Sequence, residues 1–217
     1  MTAARVPLLL ASSSPARLTL LRAAGIEPTV VVSDVDEDAT VAAARESYGE
    51  LEAADIALLL ARAKCEAVAV GTSASTLVIG CDSVLELDGD VLGKPVNAAE
   101  AIARWTVMRG RSGVLHTGHW IRDERDADDA GTAATLGGTA STTVHFADLT
   151  DLEIAAYVAT GEPLRVAGAF TIDGLGGAFV TGIEGDHHAV VGLSLPLLRE
   201  LLLEIGVSWF DLVATAD

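Results

Sequence analysis

The chain has 217 residues at 22.3 kDa, half of them apolar and 4% aromatic, with a mean hydropathy of +0.42. That is enough apolar material to bury a core of Ala, Val, Leu and Ile without staples, and it excludes a disordered chain. Asp and Glu number 31 against 14 Lys plus Arg, a net charge of −17 with a pI near 4.5, which excludes a nucleic-acid polymer gripped by its phosphates and a polybasic membrane site.

Val6 to Ala11 reads as a first buried strand, too short for a secretory apolar segment. It ends in Ser12-Ser13-Ser14-Pro15, after which Leu18, Leu21 and Ala24 recur at helical spacing up to Gly25. Pro15 suits the first helical position and Ser14 the N-cap, so the turn is either an ordinary cap or, with Arg17 in the first helical turn, an anion site. Thr29 to Ser33 is β-branched and predicts a second strand, followed by the acidic run Asp34 to Asp38, which reads as a solvated loop. Leu51, Ala54, Leu58, Ala61, Cys65 and Val68 fall on one stripe and predict the longest helix over 50–70. Cys65 and Cys81 lie in apolar stretches without CxxC spacing, as reduced core thiols of a cytosolic protein do.

Leu77 to Leu87 predicts a long strand, and Asp88-Gly89 a tight hairpin turn. A two-residue turn sets Leu87 against Asp90 and Ser83 against Lys94; a three-residue loop brings Lys94 to the face of Asp82 instead. Either register brings a lysine close to Asp82-Ser83. A carboxylate in an otherwise apolar strand needs a partner or a metal, which leaves a structural ion pair and a chemical role both open.

Ala98 to Met108 predicts a helix and Val114 to Ile121 a strand, on which His116 and His119 fall on opposite faces and so form no metal pair. Arg122 to Ala140 reads as an exposed hairpin loop and Thr142 to Phe146 as a strand. Thr150 with Glu153 forms a capping box for a helix running to about Thr160. A Gly-rich stretch follows over 168–182, then His187-His188 in a solvated loop beside Asp186, then a last pair of helices from Leu195. The alternation predicts an α/β fold with a mixed sheet in one compact unit over 1–217, and no apolar run is continuous enough to span a bilayer.

Leu10-Ala-Ser-Ser-Ser-Pro-Ala-Arg17, Ser33-Asp-Val-Asp-Glu37, Ala61-Arg-Ala-Lys64, Ile79-Gly-Cys-Asp-Ser83, Gly89 to Pro95, and Gly161-Glu162 through Ala167 to Phe170 and on to Val191-Gly192-Leu193 resemble, in order and spacing, the blocks of the Maf family over nearly the whole chain. The resemblance implies a mixed twisted sheet with flanking helices, in an elongated architecture like that of the ITPases with a central cleft. It implies a cytoplasmic nucleoside triphosphate pyrophosphatase, linked to septum formation, that uses a divalent metal, Mg²⁺ or Mn²⁺, to release a nucleoside monophosphate and diphosphate. The implied partner is the triphosphate, not a nucleic acid polymer or a membrane, and a homodimer is common in the family.

Carried over position by position, the resemblance makes Asp82 the group that activates water and Glu37 the carboxylate that shares the metal with it. Lys64, Lys94 and Arg17 would hold the triphosphate and the departing diphosphate, while Ser12 and Ser14 cradle phosphate oxygens at the helix N-terminus. Three family positions tied to base choice carry Arg, Thr and Gln in the pyrimidine-acting branch, and Trp, Gln and Glu in the branch acting on 7-methyl-GTP. They read Ala16, Ser83 and Asp173 here, which fits neither; Asp173 offers an acceptor to a guanine-type N–H edge. A family histidine is replaced by Gly113, so no role passes to His116.

Twelve of the fourteen bases are Arg, and both lysines, Lys64 and Lys94, fall on matched phosphate-site positions. A compact ammonium and a planar guanidinium are not interchangeable in such a site. The alternative reading is a nucleotide-binding regulator of cell division without catalysis, against which stands the complete set Glu37, Lys64, Asp82 and Lys94. A P-loop NTPase is a poorer rival, because no GxxxxGK[ST] occurs.

Overall fold

The computed structural model describes residues 5–72 and 74–213. Its seven strands are β1 (Leu8–Ala11), β2 (Thr29–Val30), β3 (Leu77–Leu87), β4 (Asp90–Leu92), β5 (Ser112–Asp123), β6 (Thr135–Phe146) and β7 (Val180–Glu184). They form one sheet in the order β2-β1-β3-β5-β6-β7, with β4 also paired to β3. β2 and β3 run parallel to β1 and the other pairings are antiparallel, which is the mixed sheet the sequence predicts. The helices are α1 (Pro15–Ala23), α2 (Glu37–Tyr48), α3 (Ala53–Ala69), α4 (Ala98–Met108), α5 (Asp151–Ala159), α6 (His187–Val191) and α7 (Leu195–Glu204).

α3, at 17 residues, is the longest of these, as predicted. It packs Ile56, Ala57, Leu60, Cys65 and Val68 onto one face of the sheet. Contact there is unusually close: a Cβ added to Gly80 of β3 would stand 2.3 Å from the Ala61 carbonyl oxygen, and one added to Gly118 of β5 would stand 2.3 Å from that of Ala57. The opposite face buries Leu8, Leu10, Leu77, Ile79 and Cys81 against α1 and α7. A second cluster on that side gathers five of the nine aromatic residues, with Phe146, Tyr157 and Phe179 edge-on to Trp105 and Phe170 edge-on to Phe146. Both thiols are buried, and burial pushes each up to about 12, so they are inert core groups as expected.

The Asp88-Gly89 turn has φ of 56° and 88°, the geometry of a primed two-residue turn, and Leu87 pairs with Asp90. β4 leaves the ladder after Leu92, however, so Ser83 is paired on its other edge with Thr117 of β5 and Lys94 is not opposite it. This leaves a notch in the sheet. β1 ends at Ala11 opposite Gly80 and β4 begins its pairing at Leu85, so the edge of β3 from Cys81 to Val84 has no strand neighbour among the described residues, while β5 covers the other edge.

Four expectations need correction. β5 and β6 extend to Asp123 and back to Thr135, so the loop predicted over 122–140 is far shorter. The Gly and Thr run hides β6 because its small residues receive larger ones: the ring of Trp120 fills the space over Gly137. The run Asp34 to Asp38 opens α2, with Asp36 Oδ1 accepting from Ala39 N at 2.9 Å; only Ala44 of this helix is buried, which left no apolar stripe to read. His187 and His188 form the first turn of α6, capped by Asp186. Among the described residues after α7 there is a short 3-10 turn at Trp209–Asp211 in place of a second helix, because Gly206, at φ of 71°, breaks the helical path.

Candidate active site

The notch opens into a cleft of about 820 Å³. Along one wall runs the turn from β1 to α1. Ser14 caps α1, its Oγ accepting from Arg17 N at 3.4 Å with Pro15 at the first helical position, as the sequence predicts. Ser12, 5% exposed, is held inside the turn, its Oγ accepting from Ser14 N and from Arg17 Nη1, each at 3.1 Å. Arg17 is buried as well: Nε donates to the Gly192 carbonyl at 2.7 Å and Nη2 to Ser83 Oγ at 3.3 Å.

Asp82 and Ser83 project from β3 to its two faces, and both reach the cleft because the notch removes the neighbouring strand. Asp82 is 7% exposed and hydrogen-bonded to the ammonium of Lys64, which reaches down from α3. The same Nζ lies 2.7 Å from Glu37 Oε1 at the start of α2. These two carboxylates differ in character. Burial drives the Asp82 carboxyl above its ordinary range despite the pull of Lys64 and Arg17. Burial acts in the same direction on Glu37, but there it is outweighed by the hydrogen bond and charge of Lys64, with the charges of Lys94 and Arg17, and Glu37 ends below its ordinary range. One carboxylate is therefore poised to take a proton and the other to stay ionised.

Lys94, in the turn after β4, is exposed in the cleft and has no ion-pair partner among the described residues. Ala16 and Asp173 line the same cleft, Asp173 from the segment between Phe170 and Phe179. All ten residues singled out from the sequence thus come together around one cavity, from elements separated by up to about 160 positions. The Ser83 hydroxyl is engaged with Arg17 and Thr117.

A family profile described as Maf, Maf-like protein, matches residues 7–205. The chain belongs to the Maf family. A relative from Streptomyces coelicolor, named nucleoside triphosphate pyrophosphatase, is 53% identical over 97% of this chain and 96% of its own. Another of that name, from Salinispora tropica, is 58% identical over 92% of this chain and 84% of its own. The solved structure of a nucleoside-triphosphatase / dITP/XTP pyrophosphatase from Mycobacterium abscessus covers 92% of this chain and 95% of its own at 14% identity and a TM-score of 0.34.

Within this Maf cleft lie groups that the sequence reading left without a role. Glu162 accepts from Tyr157 Oη (3.0 Å), Thr171 Oγ1 (2.6 Å), Leu175 N (3.0 Å) and Gly176 N (2.9 Å), pinning the segment that carries Asp173. Burial alone would raise its pKa, and these bonds bring it below the ordinary value. Its place in the Gly161-Glu162 block was the available signal. Arg165 is a second exposed cation of the cleft with no ion-pair partner among the described residues. Thr117, fully buried behind Ser83, gave no signal at all, being one β-branched residue in a strand.

No helix among the described residues is long and apolar enough to cross a membrane. The described residues hold no cluster of three or more His, Cys, Asp and Glu of the kind that encloses a metal. What they do hold is a pair of carboxylates converging on a single positive charge.

Proposed function

We propose that this chain hydrolyses a nucleoside triphosphate to the monophosphate and diphosphate. The observation that carries the reading is Asp82: a buried carboxylate, driven up in pKa, set in a notch of the sheet and ringed by Lys64 and Arg17. In this reading Asp82 takes the proton of an attacking water, which its desolvation favours. Lys64, Lys94 and Arg17 hold the triphosphate and meet the charge that develops on the departing diphosphate, and the α1 N-terminus with Ser12 and Ser14 receives phosphate oxygens. The names of the relatives support the same substrate class.

Glu37 and Asp82 suit a hard divalent cation, Mg²⁺ or Mn²⁺, which is satisfied by two carboxylate oxygens while it keeps several waters. The ammonium of Lys64 between them marks the point at which positive charge is already stabilised. When bound, the cation supplies further neutralisation of the triphosphate.

The products test the proposal. Purified protein incubated with a panel of nucleoside triphosphates and Mg²⁺ or Mn²⁺ is expected to yield diphosphate and the monophosphate. Orthophosphate and a nucleoside diphosphate would mean attack at the γ phosphorus and would overturn it.

A further inference from the structure

Arg17 carries five N–H donors. Three are committed inside the protein, to Gly192 O, Ser12 Oγ and Ser83 Oγ at 2.7, 3.1 and 3.3 Å, which leaves one on each Nη nitrogen. Ser83 Oγ lies 2.9 Å from Thr117 Oγ1, and Thr117 Oγ1 donates to the carbonyl of Ala189 at 2.8 Å. A hydroxyl has one hydrogen. Since that of Thr117 goes to Ala189, Ser83 must be the donor to Thr117, and its lone pairs are left to accept from Arg17. The sense of each bond is therefore fixed along a line from Arg17 through Ser83 and Thr117 to a main-chain carbonyl on α6. Thr117 is 0% exposed and stands directly across the β3–β5 ladder from Ser83, so the line is anchored in the sheet.

We propose that Thr117 is a positioning residue for substrate binding: by fixing the direction of the Ser83 hydroxyl it orients the Arg17 guanidinium, so that the two uncommitted N–H groups face the phosphate oxygens of the nucleotide. The inference rests on the proposed role of Arg17 as a phosphate ligand. It also gives Ser83 a task other than reading the base, because its hydrogen cannot go to a nucleobase without breaking the line.

The test compares steady-state kcat and KM for wild type, Thr117→Ser, Thr117→Val, Arg17→Ala and the Arg17→Ala/Thr117→Val double variant on the best substrate of the nucleotide panel. Thr117→Ser keeps the hydroxyl and is expected within about twofold of wild type, while Thr117→Val raises KM about three- to tenfold with a smaller fall in kcat, as the loss of one orienting hydrogen bond predicts. Arg17→Ala raises KM by more, and adding Thr117→Val to it costs nothing further, since the threonine acts only through the arginine. A Thr117→Val penalty that persists in the Arg17→Ala background, or a wild-type KM in Thr117→Val beside an impaired Arg17→Ala, overturns the inference. A wild-type KM in Arg17→Ala refutes the phosphate-ligand reading beneath it instead. Should Thr117→Val fail to fold, Ser83→Ala cuts the same line while leaving the Thr117–Ala189 bond intact, and the same two comparisons decide.

Discussion

Glu37 Oε1 lies 2.7 Å from Lys64 Nζ, joining the first turn of α2 to the middle of α3 at the atom that also bonds Asp82. A guanidinium cannot converge on one such point, because its donors are spread over a planar fork. Lys64→Arg is expected to lower kcat about tenfold or more. Lys94→Arg, at an exposed position with no ion-pair partner among the described residues, is expected to act on KM by several-fold. Initial rates over a range of triphosphate concentrations separate the two, and unchanged constants in both variants would reduce the lysine scarcity to a compositional habit.

Asp82→Asn is expected to lower kcat by about 10²–10⁴, the span of general-base contributions, while triphosphate affinity measured by calorimetry stays within a few-fold. The folded pKa of Asp82 lies above the ordinary 3.8, so the folded protein holds a proton that the unfolded chain gives up. Ionised Asp82 therefore opposes folding, and the stability it contributes by being protonated is lost as pH rises through the folded value. Thermal melts at neutral pH are expected to show Asp82→Asn at least as stable as wild type, a trade of stability for function. For the same reason kcat/KM of the wild type should decline toward acid with a midpoint above 3.8. A midpoint below that value, or a variant with wild-type turnover, places the base elsewhere.

Glu162→Gln replaces an acceptor of four hydrogen bonds by a group whose NH₂ faces donors. The segment bearing Asp173 should loosen. The expected signature is a KM raised about three- to tenfold with kcat nearly unchanged, and a loss of about 2 kcal/mol in urea unfolding, the scale of hydrogen bonds to a charged group. Equal KM and equal stability would show that the segment is held by other contacts.

Asp123 closes the turn between β5 and β6. Its carboxylate accepts from Arg125 N, Nε and Nη2 and from Thr132 N and Oγ1. Burial opposes the charge, yet these bonds bring the pKa down to about 2 from an ordinary 3.8. Above pH 4 the full contribution, about 2 kcal/mol, is present; it is lost as pH falls toward 2. His119 acts earlier on the same descent. Buried and neutral, it accepts from Ser194 N at 2.8 Å and donates to Thr117 O at 3.0 Å, and burial lowers it to about 4 from 6.5. Its contribution is complete above pH 6.5 and lost as pH falls through 4. Urea titrations of Asp123→Asn against wild type are expected to differ by about 2 kcal/mol at pH 7 and to converge near pH 2. A constant difference at all pH values would assign the effect to packing.

Legibility in the sequence followed burial. α3, β3 and the Asp88-Gly89 turn were readable because their residues face a core or require positive φ, and the capping box at Thr150 and Glu153 forms as predicted. α2 was hidden by having only one buried residue, and the first half of β6 by glycines whose role is to receive Trp120 and Leu197. Of the candidate site, Asp82 stood out as a charge in an apolar strand and Ser14 with Arg17 as an anion-binding turn, whereas Glu37, Lys64, Ala16 and Asp173 were marked by the resemblance to the Maf blocks alone. Its supporting groups were not legible: Thr117 and the Gly192 carbonyl matter only through what they hold in place, and nothing in a single sequence marks a residue by its neighbour's hydrogen bonds.

Gly80 and Gly118 give the proposed reaction centre a property that no polar residue supplies. Helix and sheet meet there main chain to main chain, and Gly118 stands opposite Asp82 in the ladder. The reach of Lys64 to Asp82 is thus gauged at two points where the strand brings no side chain between itself and the helix backbone. A single methyl at either glycine would lift α3 and draw the ammonium away from the carboxylate, leaving every charged group intact. In this chain the routes to inactivity include two that pass through residues with no functional group to lose, and drift at those positions would silence the cleft while a survey of its polar residues still found it whole.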